Sequence, residues 1–66
     1  MATRRIVASW LRENVKRFAN RGGFVDWWML VLSAFDEFTL TGDDLSWLKP
    51  LASRVKSIYE HSEMYH

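Results

Sequence analysis

The sequence predicts an all-α fold: a small antiparallel three-helix domain with helices over about residues 3–20, 24–38 and 44–63. The first and last thirds repeat apolar residues at helical spacing. The middle third, Phe24 to Phe38, is aromatic-rich and contains neither Gly nor Pro. The connections at Gly22-Gly23 and Thr39 to Asp44 are too short for anything but antiparallel neighbours. At 66 residues the chain is one helical domain, 1–66.

Thr3 suits the N-cap of the first helix, because its hydroxyl can accept a free first-turn N–H. Val7, Leu11, Val15 and Phe18 then fall on one stripe, flanked by Ala8 and Ala19, with Ile6 and Trp10 beside it. Arg5, Arg12 and Lys16 share a different face. Gly22-Gly23 offers the left-handed stop that helix C-termini favour, and Lys16, Arg17 and Arg21 suit the negative pole of the helix.

The second helix is apolar around most of its circumference, with Asp26 in its first turn and Asp26, Ser33 and Glu37 as a narrow polar stripe. A strand over Trp27 to Leu32 is the competing reading, and the length of the segment decides for helix. In the following turn Gly42 is free to take positive φ, and Thr41 with Asp44 resembles a capping box with Asp in place of Glu. Leu48, Leu51, Ala52, Val55, Ile58 and Tyr59 form the stripe of the third helix. Pro50 fits only a first turn, so the helix should start with Ser46 as N-cap or begin afresh at Pro50.

Charge is uneven. Residues 1–22 carry Arg4, Arg5, Arg12, Lys16, Arg17 and Arg21 against Glu13, whereas the rest of the chain is acidic. Antiparallel packing would set Arg4 and Arg5 near Asp36 and Glu37, so the two halves could neutralise each other. The same asymmetry suits a nucleic-acid contact through the basic face of Arg5, Arg12, Lys16, Arg17 and Arg21.

Catalytic chemistry finds little purchase. Ser57 and His61 share a helix face with Glu60 or Glu63 nearby, but on a solvated surface. Asp43 and Asp44 read as acids favoured at a helix start. Glu60, His61, Glu63 and His66 lack metal-ligand spacing, and Gly22-Gly23 follows a helix where a phosphate loop follows a strand. The expectation is a protein that is not an enzyme and needs no cofactor.

Nor is a membrane span expected. The longest apolar run, Trp27 to Leu32, is far below the roughly 20 residues that a span requires. A Trp-rich amphipathic helix could instead lie on a membrane surface, but its apolar face is needed for the core. The basic start, Met1 to Arg5, is not followed by the apolar stretch of a secretory leader, so a cytoplasmic location is expected.

What remains is surplus apolar surface. Hydrophobic residues are 48% of the chain and aromatics 15%, with four Trp and no Cys. Small domains need a staple, and without disulfides oligomerisation is the one left open. Packing on two neighbours cannot cover the second helix, and Trp27 and Trp28 point in different directions. The sequence therefore predicts a non-enzymatic interaction module, dimeric, that binds and modulates or inhibits another protein. Its interface would be Trp10, Trp27, Trp28, Val31, Phe35 and Trp47. A chain of this size and type suits an accessory protein of a phage or mobile element that inhibits a host protein.

Overall fold

The computed structural model describes residues 3–64, with side chains through Ser62. Three α-helices, α1 (Arg4–Asn14), α2 (Trp27–Glu37) and α3 (Leu45–Met64), make up the domain. Among the described residues the only β pairing is an isolated bridge between Ala19 and Val25.

The Thr3 hydroxyl accepts the Ile6 N–H at 3.2 Å, and α1 begins there as expected. It ends earlier than the apolar stripe suggests. The Asn14 side-chain amide donates at 2.8 Å to the Trp10 carbonyl, the acceptor that its own helical N–H uses. The chain tightens into a 3₁₀ turn over Val15–Phe18 and is extended at Ala19.

A small hairpin follows. Phe18 O accepts from Asp26 N–H, and Phe24 O from Asn20 N–H, both at 2.9 Å. The Asn20 carboxamide oxygen accepts from the N–H groups of Gly22 and Phe24. Gly23 takes the left-handed conformation, φ 84°, but inside this hairpin turn and not at a helix end. Residues 24 and 25 therefore precede α2. Asp26 is its N-cap and not a first-turn residue, accepting the Met29 N–H at 3.2 Å.

The end of α2 is a Schellman turn. Leu40 N–H donates to Phe35 O and Thr39 N–H to Asp36 O. The left-handed residue this motif requires is Thr39, φ 50°, a β-branched side chain where glycine is usual. Gly42, expected to take positive φ, does not. It opens a 3₁₀ turn, Gly42–Asp44, in which the Asp44 carboxylate accepts from the Thr41 N–H at 2.9 Å as the capping-box pattern predicts. That turn leads straight into α3 at Leu45, so Pro50 lies inside the helix and Ser46 is not its cap. The Ser46 hydroxyl donates to Asp43 O instead.

The core is Val7 and Leu11 of α1 with Val15 just after it, Leu30, Val31 and Ala34 of α2, and Leu48, Ala52 and Val55 of α3. Val25 of the hairpin completes it. The expected neutralisation of Arg4 and Arg5 by Asp36 and Glu37 does not form. The Arg4 guanidinium lies 5.5 Å over the Trp47 ring, whose Nε1 donates to Asp44 at 3.0 Å. Arg4 thus ties the start of α1 to the start of α3.

Thr39→Gly relieves left-handed strain at a position where no other side-chain interaction is at stake. It should stabilise the fold by about 1 kcal/mol in urea unfolding. An unchanged or lower midpoint would show that Thr39 is not strained.

Candidate functional site

Helix α2 buries Leu30, Val31 and Ala34 completely. The residues opposite them are Trp28, Met29, Leu32 and Asp36. Trp28, Leu32 and Asp36 are spaced by four and Met29 lies three before Leu32, so they share one face. Trp28 is 48% exposed, Met29 47% and Leu32 43%. Phe24, just ahead of the helix, is 60% exposed. Trp28, Met29 and Leu32 thus form one apolar surface with one carboxylate, Asp36, at its C-terminal end.

Of the six residues expected at an interface, Trp28 is the one on this face. Val31 is in the core, a correction that follows from its position on the side of α2 facing α1 and α3. The other four are half-buried and pack against the core. Trp10 meets Phe38 edge to face, with centroids 5.8 Å apart. Trp27 donates through Nε1 to Lys49 O at 3.3 Å, and its ring lies 5.6 Å from that of Trp28. Trp47 sits under Arg4, and Phe35 beneath the Schellman turn.

Met29 and Leu32 were not singled out from sequence. The polar stripe Asp26, Ser33 and Glu37 suggested a different outward direction, and it borders the exposed face instead of centring it. Once Asp26 is the cap, the spacing of Trp28, Leu32 and Asp36 opposite Leu30 and Ala34 gives the outward side.

Arg5, Arg12, Lys16, Arg17 and Arg21 are all exposed. Arg17 donates to the Asn14 side chain and lies 6.0 Å over the Phe18 ring. Among the described residues none of the five pairs with a carboxylate. Arg12 borders an open groove of about 250 Å³ between α1 and α3, floored by Val15 and Val55 and rimmed by Ile58, Tyr59 and Ser62.

The acidic groups have structural work. Glu60 accepts the Val25 N–H at 2.7 Å and the Lys56 ammonium at 2.8 Å, which fastens the hairpin to α3. Lys56 first, then the Val25 N–H, holds its carboxyl below the ordinary value of 4.5. The Thr41 backbone N–H, then the Trp47 indole, lowers Asp44 in the same way. Ser57 and His61 border a shallow, open depression beside Ile58 and Ser62. Among the described residues no three His, Asp or Glu side chains converge as a metal site would need. The Glu63 side chain and His66 lie outside the described residues.

The lowered Glu60 pKa sets a pH dependence. Its contribution is fully present above the unfolded value near 4.5 and is lost as pH falls through the lower folded value. Glu60→Gln should cost about 1 kcal/mol at pH 7, and the cost should shrink as pH falls below the unfolded value and the wild-type carboxylate takes up its proton. Urea unfolding at pH 7 and at successively lower pH checks this; a cost unchanged by pH would remove the charge from the explanation.

Compared with protein-family models, curated proteins and solved structures, the chain matches none.

Proposed function

We propose that this chain is a non-catalytic protein-binding module of the cytoplasm, which modulates the protein it engages through the outer face of α2. The observation that carries the reading is the cluster of Trp28, Met29 and Leu32, each more than two-fifths exposed and side by side on a helix whose other side is core. Isolated exposed apolar residues are ordinary on protein surfaces. Here a tryptophan, a methionine and a leucine are contiguous, and Trp and Met are types enriched where proteins meet. Asp36 and the neighbouring polar positions form a rim. No helix among the described residues is long and apolar enough to cross a membrane, so this face has no transmembrane span to explain it.

Immobilised wild-type chain should retain a protein from cell extract, identified by mass spectrometry. Retention should survive nuclease treatment and fall at least tenfold with Trp28→Glu, a loss of about 1.4 kcal/mol or more. Trp28 is outside the core, so the variant should keep its helical circular dichroism. Retention of nucleic acid alone overturns the reading.

One observation favours a second reading, a nucleic-acid-binding regulator. Arg5, Arg12, Lys16 and Arg21 are exposed and unneutralised by the acidic half of the chain. On that reading affinity for duplex DNA or RNA falls steeply with salt, and replacing Arg5, Arg12 and Lys16 by Ala reduces the slope of log K against log salt by about 2 to 3. A flat salt dependence excludes it.

A further inference from the structure

The geometry points to a second copy of this chain as an occupant of the outer face of α2, with the two helices antiparallel and Asp36 of each copy beside Arg21 of the other. This rests on the reading of that face as a protein contact, and names one partner for it.

The face complements itself. In a two-fold arrangement a residue that contacts a second residue is contacted by it in return. If the axis passes midway between Trp28 and Leu32, Trp28 of one copy meets Leu32 of the other, twice. The same register sets the last turn of one α2, which carries Asp36, opposite the first turn of the other. The Asn20–Phe24 turn, which carries Arg21, lies just ahead of that first turn.

Charge supports that register over a parallel one. Asp36 lies in the last turn of α2, where the helix dipole disfavours an acid. Its carboxylate has no partner among the described residues, and neither has the guanidinium of Arg21. Antiparallel pairing brings each Asp36 toward the start of the opposing helix, where the Asp26 carboxylate already caps the N–H groups and Arg21, just ahead of it, supplies the opposite charge. Parallel pairing would set the two Asp36 side chains against each other.

The area is of the right order for a weak dimer. Phe24, Trp28, Met29 and Leu32 expose on the order of 400 Å² per copy. With the surrounding rim, two copies would bury on the order of 1,000 Å², just below the roughly 1,200 Å² at which standard interfaces begin. Dissociation constants in the micromolar range or above are expected, so the dimer forms and dissociates with concentration.

Sedimentation equilibrium at low salt, from about 10 μM to about 500 μM, reads the assembly directly. Wild type should pass from monomer to dimer over that range. Asp36→Lys alone and Arg21→Glu alone should each raise the dissociation constant about tenfold, because each replaces two attractions by two repulsions. Mixing the two single variants, or combining both changes in one chain, should restore it. Asp36→Lys puts a base at the favoured end of the helix, so lost folding is not its expected effect. A monomer at every concentration overturns the inference, and so does a dimer indifferent to both reversals or one that the combined changes fail to restore. Those results leave the protein-binding reading standing if Trp28→Glu still abolishes capture of another protein. Conversely, a dimer with the predicted charge pattern and no captured protein retains the inference and removes the modulatory role.

Discussion

The structure depends on a core that is wholly aliphatic. Among the described residues Val, Leu and Ala fill every buried position: two from α1, one from the 3₁₀ turn after it, three each from α2 and α3, and Val25 from the hairpin. Small side chains let the three helices approach closely, and close approach leaves no room for a ring at the centre. The described aromatic residues are displaced to the seams, where Trp10 meets Phe38 and Trp27 lies against α3, or to the surface, as with Phe24 and Trp28. The surplus apolar area on α2 follows from the same constraint. A helix whose buried side is Leu30, Val31 and Ala34, with Trp27 and Phe35 at its flanks, has no further side to offer its two neighbours, and Trp28, Met29 and Leu32 face outward.

A second layer of organisation holds the ends. The start of α3 is fixed by Asp44, which receives the Thr41 N–H and the Trp47 indole while Arg4 covers that indole. The hairpin before α2 is fixed by Glu60, thirty-five residues away along the chain. Both devices use an acid to satisfy a backbone N–H that no helix or sheet ladder would satisfy. Between them they set where α2 and α3 begin, and so which residues of α2 face in.

The helix count, the antiparallel order and the stripe Val7, Leu11, Val15 were legible in the sequence because apolar spacing is a local signal. The Thr41–Asp44 turn was legible for the same reason. The boundaries near Asn14, Asp26 and Pro50 were not. Each turns on a competition: the Asn14 amide against a backbone donor, the Asp26 carboxylate against an earlier helix start, and an established cap against the missing N–H of a proline. The candidate face was legible as a surplus on the second helix and mislocated in detail, since a helix apolar on most sides cannot announce which side its neighbours will cover. Val31 against Leu32 is the plainest case, two adjacent aliphatic residues with opposite fates. The pairing of Glu60 with Val25 had no local signature at all.

The aromatic periphery also has an optical consequence. Trp28 stands in solvent with the Trp27 ring 5.6 Å away and turned 35° from it, close enough for the two indoles to couple in near-ultraviolet circular dichroism and to exchange excitation energy. The other two indoles sit at interhelical seams. The chain thus carries two populations of chromophore, one that senses the integrity of the fold and one that senses what touches α2. Its native fluorescence is a label for occupancy that no dye needs to supply.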